Sequence, residues 1–351
     1  MVERISTASR YAQLVNDMKM NQFNYERLTA QLSSGKKLTS ISDDPIAAVN
    51  VLNTNRQLGR IDTYQQNVGM ATSELSALDD FMELARGYLQ TAWDKAVQAN
   101  NQTYNGNSLK AIKTEIDELT KTMVDLANSE YDDNYIFAGA NTKLIPFEMD
   151  ENGYITYKGT PMDNPDYVRQ TEVADGVFEV INTTGDRVFG YFVQEEVSRD
   201  SNGEIVTLNA DDGKYYYADG TECTDTVTTA MEDKGAGVLG ALRELSNGLQ
   251  MMIDGDDVNG YNAIHATLDK FADAHNDILN IQTKFGGVYN RMEMSSSTLE
   301  TTGDNLTTYL SDLNSIDYAE AVTQWMNAQY AYQASMQVAA SSMNMSLLNY
   351  L

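Results

Sequence analysis

The chain has 351 residues, with 24 Lys and Arg against 51 Asp and Glu, a formal net charge of −27. That balance argues against a nucleic-acid or anionic-membrane partner, since both need clustered cations facing phosphate. An apolar fraction of 42%, with only four prolines and 23 glycines, excludes a disordered or collagen-like chain, and the length allows two or three domains.

Taken in chain order, the first element reads as an amphipathic helix with Tyr11, Leu14, Met18, Tyr25, Leu28 and Leu32 at a/d positions and Asn21 as the polar break. Ser33-Ser34-Gly35 ends it, because glycine tolerates the left-handed conformation of a helix C-cap. Ser42-Asp43-Asp44-Pro45 then starts the next helix, with capping oxygens just before a proline suited to the first turn. Ile61, Val68, Leu75, Met82 and Leu89 follow at seven-residue intervals. Tyr64, Ala71, Leu78, Ala85 and Ala92 each stand three residues further on, completing a seam for a long packed helix. Leu109, Ile112, Ile116, Leu119, Met123 and Leu126 repeat the pattern over a shorter stretch.

The period then changes from 3.5 to 2. Strands are expected at 154–157, 177–181, 188–193, 205–208 and 215–217, beside the turn pairs Asn152-Gly153, Asp175-Gly176, Asn202-Gly203, Asp212-Gly213 and Asp219-Gly220. Residues 140–235 hold 20 acidic and 7 basic side chains, so this inserted β domain is also the most acidic part and is expected to face solvent. A third heptad run takes in Ile264, Phe271, Ile278, Phe285, Met292, Leu299, Leu306 and Leu313, in one register across Gly286-Gly287. Residues 321–351 contain no charged side chain, proline or glycine, yet Val322, Trp325, Tyr332, Met336, Ala339, Met343 and Tyr350 recur at helical spacing. Two readings stand: the helix docks on the chain's own bundle with its amides solvated, or, being neutral, it aligns closely with identical copies without like-charge repulsion.

The expected fold is mainly α with an inserted β domain. An elongated antiparallel helical bundle is built by the N- and C-terminal segments, and the β-rich part projects from it. Three regions follow: a terminal coiled-coil assembly region at 1–40 and 314–351, a helical rod at 41–139 and 236–313, and the acidic outer domain at 140–235. The assembly surface is expected at Tyr11, Leu14, Met18, Tyr25, Leu28 and Leu32 with Val322, Trp325, Tyr332, Met336, Met343, Leu347 and Tyr350. In an isolated monomer these ends lack a partner surface and are expected to gain order on assembly.

Chemistry is sparse. The single cysteine, Cys223, has no internal disulfide partner and supports no Cys-based metal site. His265 and His275, ten residues apart, form no His-x-x-x-His pair, and His275 is expected on the helix seam. Glu195-Glu196 alternate faces of a strand. Asp200-Ser201-Asn202-Gly203 and Asp254-Gly255-Asp256-Asp257 lack the spacing and closing glutamate of a calcium loop and read as turns. No enzyme, cofactor or metal site is therefore expected. The N-terminus lacks the apolar run of a secretory signal peptide, and no run is long enough to span a membrane.

The residues Leu32-Ser33-Ser34-Gly35-Lys36-Lys37, with Ser42-Asp43-Asp44-Pro45-Ile46-Ala47-Ala48, resemble the flagellin superfamily, and within it the family of hook-filament junction proteins, the third hook-associated protein. Pro45-Ile46 departs from the alanine and glycine usual in flagellin. Tyr135-Ile136-Phe137-Ala138-Gly139, the stretch from Gly176 to Phe189, and the ending Ser346-Leu347-Leu348-Asn349-Tyr350-Leu351 are similar to the same family, whereas residues 195–235 match no family pattern. The resemblance implies a structural protein of the bacterial flagellum, exported through the flagellar type III apparatus with a chaperone on its C-terminal helix. It further implies a ring layer of copies between the first hook-associated protein, on the hook side, and flagellin, on the filament side. Two alternatives stand beside it: an atypical flagellin, and a rod that presents a surface-binding module through Tyr215-Tyr216-Tyr217.

Overall fold

A computed structural model describes residues 7–100, 106–161, 164, 167–209 and 214–348. The chain is mainly helical with an inserted β region, and it divides into two compact units, Met1–Gln65 with Ser297–Leu351, and Gln66–Ser296. The division falls inside two long helices, α2 (Pro45–Ala99) and α6 (Asp257–Asn314), each of which contributes to both units.

The first unit contains α1 (Thr7–Ser34), α7 (Tyr318–Leu348) and the adjoining parts of α2 and α6. Helix α1 stops at Ser34 because Gly35 turns to φ +68°, a conformation that costs an L side chain about 1–2 kcal/mol. The turns that follow α1 and precede α7 clasp each other. Lys37 N–H donates to the Asn314 carbonyl at 2.6 Å, Leu38 N–H to Asn314 Oδ1 at 3.0 Å, and Ile316 N–H to the Gly35 carbonyl at 3.2 Å. Asp44 Oδ1 accepts from the N–H groups of Ile46 and Ala47, both at 3.0 Å, which caps α2 with Pro45 as its first residue. Asp43 holds the preceding loop instead: Oδ2 accepts from Ser40 N–H at 2.8 Å and from the N–H and hydroxyl of Thr39, both at 3.0 Å. These bonds, the Ser40 N–H first, keep its carboxyl below the usual carboxylate range.

In the second unit the long seam is buried as its period implies. Val68, Leu75, Met82 and Leu89 of α2 are buried, as are Ile264, Phe271, Ile278, Phe285 and Met292 of α6. The a/d partners on α6 are Thr267, Ala274, Ile281 and Val288, all buried, so His275, expected on the seam, lies one residue off it and is half-buried. Helix α3 (Gly106–Ala127) buries Leu109, Ile112, Ile116 and Met123 and packs against α5 (Gly237–Ile253). Helix α5 falls within the stretch 236–313 expected to be helical, outside the seams expected there; Val238, Leu239, Leu242, Leu245 and Leu249 carry a helical spacing and are buried.

Among the described residues the β region has three antiparallel sheets. Strands β1 (Glu130–Tyr131) and β2 (Asn134–Tyr135) form a small hairpin through Asp132 and Asp133, at φ 51° and 57°. Strands β5 (Gln170–Ala174) and β6 (Val177–Val180) form a second hairpin that clasps both long helices. Asn67 Nδ2 donates to the Glu172 carbonyl at 2.9 Å, Ser295 Oγ to the Val173 carbonyl at 3.2 Å, and Arg291 Nε to Glu179 Oε1 at 2.9 Å, while Arg169 pairs with Glu74.

The main sheet joins β3 (Phe147–Met149), β4 (Ile155–Tyr157), β7 (Tyr191–Arg199), β8 (Ile205–Leu208) and β9 (Tyr215–Tyr216), with β10 (Thr228–Ala236) on β7. Its longest ladder pairs Tyr191 with Ala236 through to Arg199 with Thr228, yet β10 is polar and gives no alternating signal. The expected strand over 188–193 is corrected: Gly185–Val188 form a helical turn, α4, and the ladder begins only at Tyr191. Gly190 turns the chain between them at φ +75°, where a Cβ would run into the Ala236 carbonyl, so the backbones of Gly190 and Gly237 meet without side chains. Phe137, Phe147 and Phe189 close this core, Phe137 and Phe189 edge to face at 4.8 Å.

Candidate assembly surface

Helices α1 and α7 run antiparallel and pack along their lengths. Tyr25 stands between Trp325 and Tyr332, with ring centroids 5.9 Å from each, and Trp325 Nε1 donates to Thr29 Oγ1 at 2.9 Å. Leu28 is buried beside them, and Leu14, Met18 and Leu32 are half-buried. Tyr350, and the side chains of Tyr11, Met343 and Leu347, lie outside the described residues.

Val322 and Met336 have a different place. Both are exposed, together with Met326, Tyr330 and Val338 of α7 and Val15, Met20 and Phe23 of α1. The helical pair thus uses one set of apolar residues internally and turns a second set outward. Spacing could not separate the two sets, because apolar residues occur around most of α7 and, beyond Glu320 in its first turn, no charge marks its solvent side.

Charge sharpens the contrast between the units. The unit of residues 1–65 and 297–351 holds eight basic and eleven acidic side chains, whereas residues 66–296 hold 16 basic and 40 acidic. The exposed apolar residues of α1 and α7 therefore sit on the unit where a copy of this strongly acidic chain meets least repulsion.

The residues weighed for chemistry are occupied structurally. Asp200 is buried, and burial pushes its carboxyl up. Hydrogen bonds from the Tyr217 hydroxyl at 2.9 Å, Glu204 N–H at 2.8 Å and Asn202 N–H at 2.9 Å outweigh that and hold it below the usual carboxylate range. Its lone pairs thus serve a turn. Asp256 accepts from Asn259 Nδ2 at 2.8 Å at the start of α6, and Asp254 accepts from Gln250 Nε2 at 2.9 Å. Glu195 pairs with Lys234 across the β7–β10 ladder, and His265 is exposed. Tyr215 and Tyr216 are half-buried in β9, and the Tyr217 hydroxyl is taken by Asp200, so the three do not form an open aromatic platform. Among the described residues, no group of three or more His, Cys, Asp or Glu is placed to hold a metal ion, and no helix is long and apolar enough to cross a membrane.

Comparison with known proteins brings the two ends together. The family described as the bacterial flagellin N-terminal helical region matches residues 5–142, and the bacterial flagellin C-terminal helical region matches residues 268–351, together well over half of the chain. Flagellar hook-associated protein 3 of Salmonella typhimurium is 24% identical over 353 residues, covering 98% of each chain. The chain belongs to the flagellin superfamily, in its hook-associated protein 3 family.

The fold agrees. A crystal structure of flagellar hook associated protein-3 from Legionella pneumophila matches with a TM-score of 0.57 at 18% identity, covering 75% of this chain and 98% of that one. The flagellar junction protein FlgL from the same organism matches with a TM-score of 0.53 at 16% identity, covering 76% and 99%. Residues 143–267, which contain the main sheet, lie between the two matched helical regions.

Proposed function

We propose that this protein is a structural subunit of the bacterial flagellum, forming the layer of copies that adapts the hook to the filament. The observation that carries this is the paired terminal helices, which keep a row of apolar side chains exposed on the less acidic unit. End-to-end similarity to hook-associated protein 3 supports it further. The role is mechanical, with no catalytic step, cofactor or metal.

On this reading residues 1–40 and 314–351 are the assembly region, 41–139 and 236–313 the helical rod, and 140–235 the solvent-facing outer domain. Tyr25, Leu28, Trp325 and Tyr332 hold the terminal pair together. Val322 and Met336, with Met343, Leu347 and Tyr350 beyond them, meet neighbouring subunits. Ser33, Ser34 and Gly35 end the first helix, and Asp43, Asp44 and Pro45 set the angle at which the second begins. The neighbours are the first hook-associated protein on the hook side, flagellin on the filament side, and copies of the chain around the ring. Before assembly the chain travels through the flagellar type III apparatus, its C-terminal helix held by an export chaperone, and it ends outside the cell. Burial of the apolar faces, at roughly 25 cal/mol per Å² and repeated around the ring, supplies the affinity.

Deleting the gene tests the role. Cells should retain hooks and release filament subunits into the medium; filaments that stay attached would refute it. Limited proteolysis of the purified monomer tests the order of the ends. Cleavage is expected in the two terminal helices well before residues 60–130, and equal resistance would count against folding on assembly.

A further inference from the structure

The terminal pair is one contact between copies; the long helices carry a second. In the first four turns of α2 the face opposite the seam presents Ile46, Val49 and Leu52, which are 78%, 53% and 48% exposed, followed by exposed Asn53, Arg56 and Arg60. Between residues 45 and 61 this helix has two arginines and no acidic residue, in a chain of net charge −27. The Asp43 and Asp44 hydrogen bonds brace the loop before it, where Ile41 is also held out in solvent.

Helix α6 carries the complement. From residue 297 to 314 it has three acidic residues and no basic one: Glu300, Asp304 and Asp312, all exposed on the face turned away from the buried Leu299. The two helices are antiparallel neighbours in this unit, since a Cβ at Gly303 would stand 3.6 Å from Ile61 Cγ2. A basic, apolar face and an acidic face therefore lie on opposite flanks of one helix pair.

We propose that these flanks meet between copies. The Ile46–Arg60 face of α2 docks on the Glu300–Asp312 face of α6 in the next subunit. Such a contact is head-to-tail, with different patches on its two sides, and it propagates around a ring or helix instead of closing a dimer. The register fits a neighbour related by rotation without axial shift. Arg60 then lies level with Asp304, Arg56 within about one turn of both Asp304 and Asp312, and the Ile46–Leu52 stretch faces the start of α7, where Tyr318 and Val322 are exposed. The occupant is a second copy because the complementary charge is on this chain itself, and the contact weakens as salt screens it. This inference rests on the junction reading.

Two experiments in the bacterium that encodes the chain test it. Arg56→Glu with Arg60→Glu, and separately Asp304→Arg with Asp312→Arg, should each release filaments. All four changes in one chain should restore attachment, because the charges are exchanged and not lost. Independently, Asn53→Cys with Ser311→Cys in a Cys223→Ser background, treated on isolated flagella with a short thiol-to-thiol linker, should give a ladder of linked copies, and either cysteine alone should not. Attached filaments with the double-cysteine chain present and no ladder would overturn this contact while leaving the junction role standing. A chain absent from isolated flagella would instead sink the junction role, and this contact with it.

Discussion

Gly286 and Gly287 sit in the interior of α6, both exposed, and a Cβ added to either would find nothing within 4 Å. Glycine in a helix interior is about 0.8–1.0 kcal/mol less favourable than alanine, because it loses more backbone freedom on folding. With open space at both sites and the seam residues Phe285 and Val288 already buried, Gly286→Ala with Gly287→Ala should stabilise the isolated chain by roughly 2 kcal/mol. Their unit spans Gln66–Ser296, a size at which 1 kcal/mol moves a melting midpoint by about 2–4 °C, so a rise of about 4–8 °C is expected by calorimetry. An unchanged or lowered midpoint would refute the reasoning, since it would require these glycines to be in contact within the monomer. A stabilised monomer that nevertheless fails to support filaments would place a neighbouring subunit against them.

Phe189→Ala removes a fully buried ring that meets Phe137 edge to face and lies 6.0 Å from Phe147; it should cost about 3–5 kcal/mol and lower the urea midpoint of the same unit. Arg243 bridges three elements, with Nη2 donating to the Asn152 carbonyl at 3.1 Å, Nη1 3.7 Å from Asp117 and the guanidinium over the Phe192 ring. Arg243→Lys should therefore destabilise measurably, by about 1–3 kcal/mol, because an ammonium cannot make the forked contact and stack at once. Asp43 is charged when it holds the loop before α2, and its lowered pKa sets the sign. Its contribution is complete above the ordinary carboxylate value of about 4 and is lost as pH falls through the lower folded value. Amide exchange at Thr39 and Ser40 should accelerate relative to the intrinsic rate over that window in the native chain. In Asp43→Asn it should already be faster at neutral pH and vary less.

Much of the candidate surface was legible in the chain. The a/d positions Tyr25, Leu28, Trp325 and Tyr332 mark a helical pair; Tyr25 does meet Trp325 and Tyr332, and Leu28 is buried. What spacing left open was the direction each apolar residue faces. Val322 and Met336 share the periodicity of Trp325 and Tyr332 but point outward, because α7 packs mainly along α1 and has apolar residues to spare on its other sides. The arginine face of α2 and the acid face of α6 were equally invisible. Each is an ordinary solvated stretch until the antiparallel packing sets them on opposite flanks.

The sequence by itself determined the long helices, their start at Asp44-Pro45, their stop at Gly35, and a separate acidic β region. Heptad spacing, capping oxygens and glycine at positive φ are local causes whose effects need no distant partner. Only the tertiary structure decided that the polar stretch Thr228–Ala236 is the longest partner of β7, that Gly185–Val188 curl into a helical turn, and that Gly237–Ile253 seal α3. Those outcomes depend on backbone pairing and close approach between residues far apart in the chain, where side-chain pattern carries little information and hydrogen-bond satisfaction carries most.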